Sequence, residues 1–192
     1  MKKVMAAFDE EGVYVYQAFK PKVVAIAVEK GTFGKGFGLD RITWIKPSFA
    51  WMLQRSKYAT KHRMEAIAKI KLSHEAWLEI LTQSVETQYT GKYWETEDEW
   101  QRQLNKSDVI HQWDPERDLV GRKLDQAAIQ IGIRGEVIRK YVSEYIIGVE
   151  DVTDLAKTIG KSVKLRRNQF PQVPLEKTYP ISDALALKLG CS

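Results

Sequence analysis

The stretch that most constrains this chain is Val13–Arg55, VYVYQAFKPKVVAIAVEKGTFGKGFGLDRITWIKPSFAWMLQR. Its apolar residues switch period several times. Val13–Phe19 alternates strictly, with Val13, Val15 and Gln17 on one face and Tyr14, Tyr16 and Ala18 on the other, which predicts a strand. Pro21 then suits the first turn of a helix with Val23, Val24, Ala27 and Val28 as its stripe and Gly31 as its stop. Arg41–Lys46 reads as a second strand broken by Pro47, and Ser48 opens a helix that turns Phe49, Met52 and Leu53 inward. Strands this short, interleaved with helices this short, bury their apolar faces only as a sheet with helices packed around it.

The rest of the chain keeps that rhythm. Val4–Phe8, the turn Asp9–Gly12 and Val13–Phe19 read as a β-hairpin. A basic loop carrying Arg55, Lys57, Lys61, His62 and Arg63 leads into an alternating strand, Ala66–Leu72. Ser73 caps a helix with Trp77, Ile80 and Leu81 inward, and Thr96-Glu-Asp-Glu99 is a capping box for a surface helix ending near Asn105. Val109–Trp113 reads as an edge strand ended by Asp114-Pro115, and Ala127–Ile133 as a buried strand interrupted by Gln130. A helix from Arg134, a strand Ile146–Val149 and a helix capped by Thr153 and reaching Val163 follow. The fold class is α+β: one domain over 1–192 with a mixed, mostly antiparallel sheet, its tail 168–192 wrapped on the surface and ending in a short helix.

Composition narrows the setting. No apolar run approaches the roughly 20 residues of a spanning helix, and Met1-Lys2-Lys3 is followed by Asp9-Glu10-Glu11, not by a secretory leader. A cytoplasmic, membrane-free protein is the expectation. The single cysteine, Cys191, excludes an internal disulfide and a cysteine-based zinc site; the three histidines lack metal-ligand spacing, so no metal is expected. The net charge of +5 permits an anionic partner, nucleotide or nucleic acid, and equally a solvated basic surface.

No nucleophile motif is present, so candidate chemistry is distributed. Gly31–Gly38 holds four glycines but no Walker ending, and it follows a helix and precedes a strand; it reads as a mobile flap. Gln17, Ser48 and Gln130 are polar residues at or beside apolar strand positions, which either satisfy one another in the core or line a cleft. Glu136 sits where it favours the positive end of its helix. Arg41 and Lys46 can hold phosphate, and Trp44 either stacks on a base or fills core.

Four strings, Val15–Phe19, Arg41–Met52 (RITWIKPSFAWM), Gln112–Asp118 (QWDPERD) and Ile129–Glu136 (IQIGIRGE), resemble the bacterial and fungal proteins grouped as domain of unknown function 4291. The order of a strand ending Tyr16-Gln17-Ala18, a helix, Gly-x-Phe and a second strand resembles, more distantly, the opening of ADP-ribosyltransferase folds. That resemblance implies NAD as cofactor, with Gln17 at the nicotinamide ribose, Ser48 supporting it, Gln130 or Glu136 in the glutamate role, and Tyr16 among the cofactor-binding residues with Arg41, Trp44 and Lys46. Gln17 stands where those enzymes have Arg or His, and Gln130 carries no charge to stabilise an oxocarbenium-like transition state. Two functions follow as expectations: an NAD- or nucleotide-binding, transferase-like domain, or a nucleic-acid-binding module using Arg55, Lys57, Lys61 and Arg63 with Lys161, Lys164, Arg166 and Arg167.

Overall fold

The computed structural model describes residues 1–192. In chain order the first elements are β1 (Met5–Ala6), β2 (Gly12–Phe19), α1 (Pro21–Lys30), β3 (Thr43–Ile45), α2 (Phe49–Arg55), β4 (Ala66–Ser73) and α3 (His74–Gln83). Then come β5 (Val85–Glu86), α4 (Glu97–Lys106), β6 (Val109–Arg117), β7 (Lys123–Ile133) and α5 (Gly135–Lys140). A π-helical turn, Tyr141–Tyr145, leads into β8 (Ile146–Asp151), α6 (Thr153–Lys164), β9 (Lys177–Thr178) and α7 (Asp183–Leu189).

The architecture is α+β and mostly antiparallel. One sheet has the order β2-β4-β8 and is antiparallel throughout; the other has the order β3-β7-β6-β5, parallel only at β5–β6. Backbone hydrogen bonds join the two sheets at one residue pair. Tyr16 donates its N–H to Lys46 O at 2.7 Å, and Lys46 donates its N–H to Tyr16 O at 3.3 Å. A continuous antiparallel ladder would next pair Ala18 with Trp44. Instead β2 and β3 diverge, and the side-chain amide of Gln17 spans the gap to the Trp44 carbonyl at 3.2 Å.

Helices close both faces. α3 lays Trp77, Ile80 and Leu81 against Val13, Val15, Ile70 and Leu72, and the same core takes Ile129, Ile131 and Ile133 from β7. A second cluster joins Tyr16 and Ile67 to Phe49, Met52 and Leu53 of α2 and to Ala156 and Ile159 of α6. Each large side chain fully buried this way contributes about 2–3 kcal/mol of transfer free energy. The helix starts read from the sequence carry their caps: Ser48 accepts from Trp51 N–H at 3.1 Å, Ser73 from Ala76 N–H at 3.1 Å and Thr96 from Glu99 N–H at 3.2 Å. No helix is long and apolar enough to cross a membrane.

Several local expectations are corrected. The N-terminal segment turns tightly into β2, but β1 pairs with β9 rather than completing a hairpin, because the C-terminal tail supplies that strand. β6 is an interior strand that runs through Pro115 to Arg117. β5, its second neighbour, pairs only at Ile110 and His111, so the missing proline N–H breaks no bond on that side. Thr153 does not cap α6; it is the first helical residue, and its hydroxyl accepts from Ile67 N–H at 3.0 Å. The glycine run is pinned, not a free flap. Phe33 is buried and stacks on Phe37 with ring centroids 4.4 Å apart, Thr32 donates its hydroxyl to Val142 O at 2.6 Å, and Asp40 pairs with Arg139 at 3.0 Å.

Candidate functional site

Where β2 and β3 part, a cleft of about 740 Å³ opens. β2 contributes Gln17, Ala18 and Phe19, and the start of α1 contributes Lys22 and Val23. The approach to β3 and the strand itself contribute Arg41, Ile42, Thr43 and Trp44. Alternation along β2 aims the Ala18 N–H toward the opening, since Tyr16 already points its N–H at Lys46.

The charge of this lining is one-sided. Of the 17 lining residues, seven are cationic (Lys20, Lys22, Lys35, Arg41, Lys46, Arg55 and Arg63) and none is Asp or Glu. None of the seven belongs to an ion pair of the chain. Seven like charges around one concavity repel each other in the free protein and focus a positive potential into the opening. Such an arrangement recovers its cost when an anion enters.

Lys46 forms the floor. It is 8% exposed and flanked by the Trp51 ring at 5.4 Å from its ammonium, and the only hydrogen bond of that ammonium is a long one to Trp44 O at 3.4 Å. Lysines this buried are normally paired with a carboxylate. Burial, then the nearby Arg55 guanidinium, lowers the Lys46 pKa to about 8.

Gln17 is committed to the fold. Its Nε2 donates to Thr43 Oγ1 at 2.8 Å and to Trp44 O, and its Oε1 accepts from the Tyr141 hydroxyl at 2.8 Å. The amide takes the place of a broken ladder bond and braces the divergence of the two strands.

The other candidates lie outside the lining. Tyr16 is fully buried against Phe49, with ring centroids 5.0 Å apart and its hydroxyl unpartnered. Gln130 is buried in β7, and both polar atoms of its side chain lack a protein partner. Glu136 is exposed at the start of α5. Ser48 caps α2 and donates its hydroxyl to Glu116 Oε1 at 2.7 Å. Of the eight residues singled out in the sequence, the cleft therefore gathers Gln17, Arg41, Trp44 and Lys46, and leaves out Tyr16, Ser48, Gln130 and Glu136.

Ser48 belongs to a separate cluster. Glu116 is buried and its pKa is raised by desolvation; Glu176, on the tail, accepts from Phe49 N–H at 2.8 Å and is pushed up to about 8 by burial and by Glu116. Two of the three histidines are occupied structurally. His74 bridges the Tyr179 hydroxyl and Asp9 O, and His111, lowered to about 4 by burial, lies between Ser84 Oγ and Leu189 O. No three of His, Cys, Asp and Glu converge as a metal site.

Lys20, Lys22 and Lys35 entered no functional reading of the sequence. The available signal was weak: two lysines flanking Pro21 at a strand–helix junction and one inside the glycine run. Arg55 and Arg63, which the sequence assigns to a nucleic-acid-binding surface, both line the cleft.

The sequence profile of the family described as domain of unknown function (DUF4291) matches residues 3–179. The chain belongs to that family. The matched span contains every lining residue of the cleft and both strands that form it. No curated protein matches the chain.

Proposed function

We propose that the cleft binds a nucleotide bearing two or more phosphates, with NAD and ADP-ribose in that class. The observation carrying this reading is the lining itself: seven cations outside any ion pair, no carboxylate, and the half-buried Trp44 among them. Its volume falls in the range of small-molecule sites, roughly 300–1,000 Å³. Guanidinium groups at Arg41, Arg55 and Arg63 offer bidentate partners for phosphate oxygens. Trp44 offers the base a stacking face.

The same lining favours binding over glycosyl transfer. A transferase of the ADP-ribosyl kind places a carboxylate beside the developing positive charge of the ribose, and here the lining has none. Gln130 and Glu136, the positions assigned that role by resemblance, are not among the lining residues.

The test is a titration of the intact chain with NAD, ADP-ribose and ATP, followed by tryptophan fluorescence and by thermal shift. The expected result is saturable binding, weakened at least tenfold by Arg41→Ala and by Trp44→Ala with the melting temperature of the free protein kept. Absence of saturation with all three ligands overturns the reading.

A further inference from the structure

The mouth of the cleft is shaped by backbone strain. Lys57, Tyr58 and Ala59 are three consecutive non-glycine residues in the left-handed region, at φ 51°, 55° and 60°, and Arg63 is a fourth at 65°. Each such residue costs about 1–2 kcal/mol. The strain is over-determined by its surroundings. Tyr58 N–H donates to Leu53 O at 2.7 Å, Ala59 N–H to Ser56 Oγ at 3.1 Å, and Lys61 N–H to Ser56 O at 2.9 Å. The Tyr58 hydroxyl accepts from Gln54 Nε2 at 2.7 Å and donates to Leu119 O at 3.0 Å. Strain held this firmly clusters at functional sites.

What the turn achieves is placement of charge. Arg55 and Arg63 stand at its two ends and both line the cleft, while Lys57 and Lys61 lie between them. Tyr58 packs directly on Gly160 of α6, where a Cβ would fall 2.6 Å from the Tyr58 Cβ. Beyond Gly160 come Lys161, Lys164, Arg166 and Arg167, all exposed and none in an ion pair. Glu65, the acid nearest the turn in sequence, lies 3.6 Å from His62 Nδ1 and within electrostatic reach of Lys20. Cations thus continue from the cleft, over the strained turn, to the C-terminal end of α6.

We propose that the cleft is the terminal pocket of a single-strand nucleic-acid track. The end nucleotide and its terminal phosphate enter the cleft, and the strand behind it runs over the Ser56–Arg63 turn to α6. This rests on the nucleotide reading of the cleft and names where that nucleotide belongs. A free nucleotide would use the cleft cations alone and leave the turn and the end of α6 without a partner. The strand is single because a cleft beside Trp44 and Phe19 admits an unpaired base, whereas a duplex keeps its bases stacked.

The experiment measures fluorescence anisotropy of oligonucleotides of one sequence, with and without a terminal phosphate, across a salt series, beside NAD titrations. The phosphorylated strand is expected to bind at least tenfold tighter than its unphosphorylated twin. The double variant Lys161→Ala/Lys164→Ala should weaken the strand, reduce the slope of log affinity against log salt by about 1.4, and leave NAD affinity unchanged. Arg41→Ala should weaken both ligands. The track is overturned by an unchanged slope in the double variant, or by indifference to the terminal phosphate. Binding of NAD without any gain for the strand removes the track alone. Binding of the phosphorylated strand without NAD removes the free-nucleotide reading alone.

Discussion

Tyr141 donates its hydroxyl to Gln17 Oε1 at 2.8 Å, across 124 residues of chain. The same glutamine donates to Thr43 Oγ1 and to Trp44 O, so one buried amide ties the π-helical turn, β2 and β3 together. Gln17→Ala strands the Tyr141 hydroxyl, takes the donor from Thr43 Oγ1 and leaves the Trp44 carbonyl only its long bond from Lys46; each orphaned group costs about 1–3 kcal/mol. The expected outcome in urea denaturation is a loss of stability of at least about 2 kcal/mol. Tyr141→Phe, which orphans only one acceptor, should lose less. A Gln17→Ala variant as stable as the parent would show that the amide does not brace the strands.

Lys46 should make ligand binding depend on pH. Its pKa is lowered to about 8 by burial and by Arg55, and an anion in the cleft favours the charged form. With that value about one Lys46 in eleven is charged at pH 9, so nucleotide affinity should fall roughly tenfold between pH 7 and pH 9. Lys46→Met should flatten the dependence. Calorimetry near pH 8 in buffers of different ionisation enthalpy should register proton uptake on binding. The stability effect has a definite sign. The unfolded chain binds the extra proton between about pH 8 and 10.5, so Lys46 makes stability rise with pH across that window.

Glu176 should act in the opposite direction. Its folded pKa of about 8 lies above the ordinary 4.5, so the folded chain binds more protons between those values. Its contribution is fully present below about pH 4.5 and is lost progressively as pH rises to about 8. Glu176→Gln keeps an acceptor for Phe49 N–H while removing the titration. The variant should flatten that part of the pH–stability curve and exceed the parent in melting temperature at pH 8. An unchanged curve would place the Glu176 carboxyl in water.

Gly160 should resist the substitution that a helix interior normally welcomes. Glycine to alanine at an exposed helical site gains about 1 kcal/mol. Here the new Cβ would meet the Cβ of Tyr58 at 2.6 Å, an atom close to the backbone that cannot swing aside. Gly160→Ala should therefore lower the melting temperature and weaken the strand more than NAD. A gain of stability would mean that Tyr58 does not rest on α6.

What was legible in the sequence follows the range of each signal. Val13–Phe19 and Ala66–Leu72 announce strands through alternation, and Ser48, Ser73 and Thr96 announce helix starts through chemistry within three residues; all are in place. The partner of β1 is not legible locally, because Lys177–Thr178 comes from the far end of the chain. For the site, Arg41, Trp44 and Lys46 stood out because they cluster in one short string. Lys20, Lys22 and Lys35 did not, since their meaning comes only from which two strands diverge beside them. Ser48 and Gln130 are polar residues in or next to apolar elements, a signal that does not distinguish a buried cap or an orphaned amide from a cleft residue, and Glu136 enters only through the resemblance.

The single pair Tyr16–Lys46 carries a mechanical consequence. With the Gln17 amide beside that pair and the shared core of Val15, Ile70, Ile129 and Ile131 behind it, the width of the cleft is set before any ligand arrives. Lys20 and Lys22 ride with one sheet, Arg41 and Lys46 with the other. A ligand held by cations from both lips adds a further fastener to that pair and that amide, so an occupied cleft should stiffen its own rim.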